Sequence, residues 1–285
     1  MRIALTGHTG QVGWELQRCL TPLGSVIAPD RAALDLSRPG TVAAVVRSIR
    51  PDLIVNAAAY TAVDQAEQDP AACFAANAES VAALAQQAAR LGALLIHYST
   101  DYVFDGSQRT PYLETDPTAP INTYGHSKLA GEQEIVRSGC RYLILRTCWV
   151  YAMRGRNFAL TMLRLARERA QLRVVNDQVG APTWARDIAQ ATLAALDRAT
   201  PLEGLYHVSA AGATTWFEFA RRILELAGLD TPVVPIATAD YPTAAARPAY
   251  SVLDSSRFAA ATGFRIGPWD ERFAVCFRDS EVVHD

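Results

Sequence analysis

Tyr124 and Lys128 stand four residues apart in the stretch YGHSK, and Lys128 is the only lysine in a chain whose 27 Lys and Arg are otherwise all arginine. On a helix this spacing puts both side chains on one face. A phenol with a pKa of about 10 is a slow proton donor at neutral pH, and a nearby ammonium is expected to draw that value down by stabilising the phenolate. A compact ammonium can approach the ring and still donate to ribose hydroxyls, which a planar guanidinium does less well. Ser99-Thr100-Asp101 closes a strand-like run, where a hydroxyl can point at the same substrate oxygen as the phenol. The competing readings are an exposed helix pair and a turn-forming S-T-D.

A second constellation, GHTGQVG, carries Gly7, Gly10 and Gly13 between the run RIALT (Arg2 to Thr6) and a helical pattern over Val12 to Leu20. A helix N-terminus offers unpaired N–H groups and a positive dipole end, and glycine lets the backbone approach a pyrophosphate. The spacing is G-x-x-G-x-x-G, not the G-x-G-x-x-G of ordinary dehydrogenases, and a lone triplet can equally serve a tight turn. Asp30 adds weight, because it follows the second strand where an acid would hold a ribose 2′-hydroxyl. Its neighbour Arg31 would instead meet a 2′-phosphate, so NADPH or NADH stays open. Asn56-Ala57-Ala58-Ala59 keeps side chains small where a cofactor would cross the sheet edge; simple helix–sheet packing is the other reading.

These residues need a scaffold that collects strand ends. Strand-like runs at Ser25 to Ala28, Asp52 to Asn56, Ala93 to Tyr98 and Arg141 to Arg146 alternate with helical stretches at Thr41 to Ile49, Ala75 to Leu91 and Tyr124 to Ser138. That rhythm predicts a parallel sheet with helices on both faces, and apolar runs such as LIV and LLI suit strands buried on both sides. Beyond residue 150 the pattern loosens. Helices are expected over Asn157 to Arg169, Trp184 to Arg198 and Trp216 to Ala227, strands at Leu172 to Val175 and Gly204 to Ser209, and an extended loop over Pro232 to Pro248. The fold class is therefore α/β: a Rossmann-like doubly wound parallel sheet with a smaller C-terminal substrate-binding domain. Residues 1–150 would form the dinucleotide-binding domain and 151–285 mainly the substrate domain, with part of 172–200 returning to the sheet.

Composition excludes other classes. Half of the 285 residues are hydrophobic and a fifth are charged, as in an ordinary soluble globular protein, and a net charge of −2 offers no basic stripe for nucleic acid. No apolar run approaches the ~18 residues that span a bilayer, and nothing at the N-terminus reads as a leader. Five cysteines without C-x-x-C and five scattered histidines suggest neither disulfides nor a metal, so a reducing cytoplasm is the expected compartment.

Taken together, the glycine triplet, Asn56-Ala57-Ala58, Ser99-Thr100 and Tyr124 with Lys128 resemble the extended short-chain dehydrogenase/reductase superfamily. Within it the chain is similar to the dTDP-4-dehydrorhamnose reductase family through GQVGWEL (from Gly10), STDYVFDG (from Ser99), YGHSKLAGE (from Tyr124), RTCWVY (from Arg146), NDQVGAPT (from Asn176) and RPAYSVLD (from Arg247). The resemblance implies hydride transfer from NADPH or NADH to the 4-keto carbon of a dTDP-linked 6-deoxy sugar, giving dTDP-L-rhamnose, a precursor of surface polysaccharide. Tyr124 would donate the proton, Thr100 would hydrogen-bond the same oxygen, and Lys128 would tune Tyr124 and hold the nicotinamide ribose. Gly10, Gln11, Val12, Asp30, Asp35, Leu36, Ala59, Tyr60, Thr61 and Tyr98 would line the cofactor site, and Asp101 and Trp149 would face the sugar. Some members are thought to dimerise through magnesium on a carboxylate matching Glu15; the other matching position here is Arg186, so no metal is expected and a homodimer stays open.

Two rivals share the pattern. A sugar-nucleotide 4,6-dehydratase needs an Asp-Glu pair after the threonine, and Tyr102 stands where the glutamate would be. A non-catalytic dinucleotide-binding subunit, like the regulatory β subunit of methionine adenosyltransferase, keeps Y-x-x-x-K but matches RTCWVY and NDQVGAPT less well. Another sugar-nucleotide reductase or epimerase is a nearer alternative.

Overall fold

Strands without polar alternation have to be covered on both sides, and the computed structural model, which describes residues 1–197 and 200–280, shows how. The strands β1 (Arg2–Thr6), β2 (Ser25–Ile27), β3 (Leu53–Asn56), β4 (Leu94–Thr100) and β5 (Arg141–Thr147) join the strand Gly204–His207 in one six-stranded sheet. Every pairing is parallel, and the order is Gly204–His207, β5, β4, β3, β1, β2. Residues alternate between faces along each strand. On one face Leu53, Val55, Leu94 and Ile96 pack with Leu16 and Leu20 of helix α1 (Gln11–Leu20) and with Ile188 and Ala191 of the Ala185–Leu196 helix. On the other, Ile54, Leu95 and Ile144 meet Val42, Leu84 and Ile135 from three further helices. Each such aliphatic side chain, fully buried, stabilises the fold by about 1.5–3 kcal/mol.

A smaller core lies beyond the sheet, where the helices Phe158–Glu168, Trp216–Leu226 and Trp269–Arg278 close around Tyr151, Trp184, Phe219 and Phe273. From 172–200 it is the Ala185–Leu196 helix that returns to the sheet, as a cover, while the strand that rejoins it is Gly204–His207. The end expected at Arg198 lies outside the described residues, as does His284.

Two expectations are corrected. The stretch Ala75 to Leu91 is not one regular helix: Ala75–Glu79 forms a wider π turn before the Ser80–Leu91 helix. That turn holds Asn77, whose carbonyl approaches Gly131 of the Thr123–Ser138 helix so closely that no Cβ fits. The Pro-rich stretch is not all loop either. Val233–Ile236 pairs in parallel with Leu172–Val175, and Pro235 is tolerated because this strand has a neighbour on one edge only. Among the described residues no helix is long and apolar enough to cross a membrane.

Candidate active site

Strand order reverses between β1 and β3, the place where an open α/β sheet leaves a crevice at its carboxyl edge. A cleft of about 700 Å³ opens there. Gly7, Gly10, Gln11 and Val12 form one wall. Gly7 has φ +70°, and a Cβ on it would lie 2.6 Å from the Ala58 nitrogen, so only glycine lets β1 turn this close to the end of β3. Gly10 caps α1 without any side-chain hydrogen bond, leaving the first N–H groups of the helix free for an anion. Gly13 lies behind the wall, packed against the Gly7 carbonyl; its role is to bring α1 down onto the turn.

Asp35, Leu36, Ala59, Tyr60, Thr61 and Tyr98 line the cleft farther along. Asp30 does not. Its carboxylate accepts from the Ala33 N–H at 2.9 Å and closes a local turn, while Arg31 faces the cleft instead. Three cleft-wall hydroxyls, those of Tyr60, Ser99 and Thr147, are buried without a hydrogen-bond partner among the described residues. Buried polar groups are rarely left so; a ligand carrying ribose and amide groups fits them. Arg154 and Arg156, not singled out in the sequence, also border the cleft, and Arg154 stacks over Trp14 at 4.4 Å. Asn157 ties their loop to the glycine turn by donating to Gln11 Oε1 at 2.8 Å. The signal for them was two arginines flanking Gly155 just after RTCWVY.

Tyr124 and Lys128 enter the cleft from the Thr123–Ser138 helix, started by Asn122, whose side chain accepts from the Gly125 N–H at 2.7 Å. Lys128 is 1% exposed. Its Nζ donates to the Tyr98 carbonyl at 2.6 Å and lies 3.0 Å from His97 Nε2. Burial lowers its pKa to about 8, with Glu132 and Cys73 pulling the other way. The phenol departs from expectation: burial pushes Tyr124 above the usual range, the Thr100 hydroxyl opposes this, and Asp101 adds to it. Desolvation of the ring outweighs the lowering expected from Lys128, whose amine is engaged with Tyr98 and His97.

Thr100, Asp101 and Trp149 do not border this cleft. Thr100 and Asp101 are buried beyond the phenol, with Thr100 Oγ1 donating to Asp101 Oδ1 at 3.0 Å. Burial lifts the Asp101 carboxyl to about 6, with the Ser251 and Thr100 hydroxyls pulling the other way. Trp149 has φ +46°, unusual for a bulky residue. Its ring stacks on Trp216 at 3.5 Å and 6°, in the space left by Gly180. The loop 245–252 folds over this end. Arg247 pairs with Asp64 at 2.7 Å, and Asn122 donates to the Ala246 carbonyl at 2.7 Å. Glu15 and Arg186 form an ion pair at 3.4 Å, and Arg186 also reaches Asp279 at 2.8 Å.

With this geometry established, comparison with known proteins is specific. A family model described as the RmlD substrate binding domain matches residues 1–282. A dTDP-4-dehydrorhamnose reductase of Burkholderia thailandensis is 48% identical, over 98% of this chain and 99% of that one. One from Escherichia coli is 51% identical over 90% and 91%. The crystal structure of dTDP-4-dehydrorhamnose reductase from Bacillus anthracis in complex with NADP superposes with a TM-score of 0.93 at 38% identity, covering 98% of this chain and 99% of that one. A glycine turn without a side-chain cap, a tyrosine–lysine pair at the sheet's switch point and this likeness along the whole chain agree, and the chain belongs to the dTDP-4-dehydrorhamnose reductase family.

Proposed function

We propose that the protein reduces the 4-keto group of dTDP-4-dehydro-L-rhamnose to dTDP-L-rhamnose with NADPH or NADH. The observation that carries this reading is the placement of Tyr124 and the buried Lys128 together in the wall of the dinucleotide-sized cleft. A reduced nicotinamide bound there supplies the hydride to the keto carbon. Tyr124 donates its proton to the ketone oxygen, and the Lys128 ammonium stabilises the phenolate left behind. When the sugar binds, the single O–H of Thr100, beside the phenol, turns from Asp101 Oδ1 to the same oxygen. Gly10, Gln11 and Val12 hold the pyrophosphate at the α1 N-terminus, with Arg154 and Arg156 as cations at the rim. Asp101 and the Trp149–Trp216 stack receive the sugar. On this reading residues 1–150 hold the dinucleotide and the later part holds the sugar nucleotide; the compartment is the cytoplasm, nucleic acid is no partner, and a homodimer is compatible.

The test is to mix the pure protein with dTDP-4-dehydro-L-rhamnose and NADPH or NADH, follow nicotinamide absorbance, and identify the product's stereochemistry at C4. Cofactor binding with no turnover would overturn the proposal in favour of a regulatory dinucleotide-binding protein.

A further inference from the structure

His97 ends the apolar run Leu94–Ile96 of β4, and the role proposed above leaves it without a function. It is fully buried, and register pairing sets it in a row: Thr6 of β1 lies opposite Asn56 of β3, and Asn56 lies opposite His97 of β4. All three side chains point to the same face and are at most 2% exposed. They are bonded end to end. Thr6 Oγ1 lies 2.6 Å from Asn56 Oδ1, Asn56 Nδ2 lies 3.0 Å from His97 Nδ1, and His97 Nε2 lies 3.0 Å from Lys128 Nζ. The row therefore begins at the glycine turn, runs beneath the cleft across three strands, and ends on the amine.

We propose that His97 positions Lys128: a neutral imidazole, locked by the row Thr6–Asn56–His97, aims the amine into the cleft and accepts a hydrogen bond from its ammonium form. The inference rests on the catalytic reading of Lys128. An ammonium has three N–H groups. The Tyr98 carbonyl takes one, His97 Nε2 takes the second, and the third is left for the cleft that Lys128 lines. Acceptance at Nε2 requires the ring proton on Nδ1, which then donates to the Asn56 amide oxygen, with the amide NH₂ turned toward Thr6. When Lys128 is neutral the row reverses, and His97 Nε2–H donates to the amine. A side chain that could only donate, or do neither, would not hold the amine in both states.

Other groups around the amine do not replace this contact. On its own helix, Tyr124 lies one turn before it, and Glu132, one turn after, is held by Arg146 in a buried two-bond pair. The Pro70–Phe74 helix brings Cys73, which is bonded to Ser127, and Tyr98 presents only its carbonyl, its hydroxyl being bonded to Thr192. Asp101 and Tyr102 adjoin the Tyr124 ring rather than the amine. His97 itself is held neutral by burial and by the adjacent ammonium.

A chain with one lysine permits a direct reading, because labelling lysine at Cε and Nζ gives a single side-chain resonance, that of Lys128. In the full-length protein this resonance should titrate near pH 8. Removing the acceptor by His97→Leu should lower the midpoint by about one pH unit, because the charge-assisted bond lost by the ammonium is stronger than the one lost by the neutral amine. His97→Gln, whose amide oxygen can accept, should restore most of it. If the leucine variant does not fold, His97→Met carries the same expectation. An unchanged midpoint in a folded leucine or methionine variant would overturn the proposal. In the reductase assay, the alkaline fall of kcat should move down by the same amount with KM for the sugar unchanged. The titration decides the His97–Lys128 link even for a protein that fails to turn over, so failure of the link and failure of the catalytic reading are distinguishable.

Discussion

The cofactor cleft and the sugar end are built differently, although they meet at Tyr124. In the cleft most wall residues are delivered by a strand end or the residues just after it, and parallel register sets Thr6, Asn56 and His97 side by side. At the sugar end the pieces come from irregular segments far apart in the chain. They are fastened by single side chains: Asp64 to Arg247, Asn122 to Ala246, the Trp149 ring on Trp216. Chemistry thus sits on the rigid part and recognition on the adjustable part. Damage to the first should appear in kcat, and damage to the second in KM for the sugar.

Tyr124→Phe breaks the comparison hardest. The ring and its edge contact with Tyr102 remain, while the transferable proton is lost. Turnover should fall by about 10²–10⁴-fold with the affinity for NADPH nearly unchanged, as read by single-turnover kinetics and cofactor titration. Loss of cofactor binding in step with turnover would mean that Tyr124 shapes the cleft and does not act on the proton.

The sheet that carries the cleft holds a second buried histidine, His207, on its edge strand, and acid tests how firmly that edge is held. Burial, reinforced by Arg146, lowers His207 to about 3. A histidine depressed in the folded state stabilises fully above its unfolded pKa of about 6.5, and that contribution is lost as pH falls from there toward 3, because the unfolded chain binds the proton first. His207→Asn keeps a donor for the Tyr112 carbonyl, which the ring now meets at 3.0 Å, and cannot be protonated. Between pH 7 and 4.5 its unfolding free energy in urea should fall by about 2 kcal/mol less than that of the parent. Equal losses would show that His207 is not held neutral.

The difference between the two regions also explains what could be read from sequence. Strand–turn–helix punctuation, the glycine turn and the i, i+4 tyrosine–lysine pair are local, and local patterns survive in a linear text. The direction of the Tyr124 shift is not legible there, because sequence shows a neighbouring charge but not the burial that outweighs it, nor the carbonyl and imidazole that engage the amine. Spacing assigns Asp30 to the cleft, yet the Ala33 N–H holds its carboxylate in a local turn. Arg154 and Arg156 escape a reading by pattern because a loop with no periodicity carries them to the cleft, where Asn157 ties that loop to Gln11.

Asp64→Ala loosens the sugar end alone. Asp64 fixes both the Arg247 side chain and the Ala245 N–H of the covering loop. The pair is partly exposed, so its loss should cost no more than about 1 kcal/mol. KM for the sugar nucleotide should rise by up to about fivefold, with KM for NADPH and kcat unchanged in steady-state assays. A fall in kcat of the same size would place the loop in the chemical step and erase the division drawn here.

Arg31→Ala is the mildest and sharpens the cleft's own character. Asp30 is held in its turn by the Ala33 N–H, and Arg31 stands at the cleft edge with an i, i+4 contact to Asp35 at 3.5 Å. An exposed guanidinium of this kind gains little from Asp35 and can turn to a phosphate, with which it pairs more strongly. Its removal should raise KM for NADPH by about threefold and leave KM for NADH unchanged, because the latter carries a hydroxyl where the phosphate would be. Equal effects on the two would assign Arg31 to the pyrophosphate or to the fold of the turn, and cofactor choice would then rest on Ser37 and Asp35, which border the same end of the cleft.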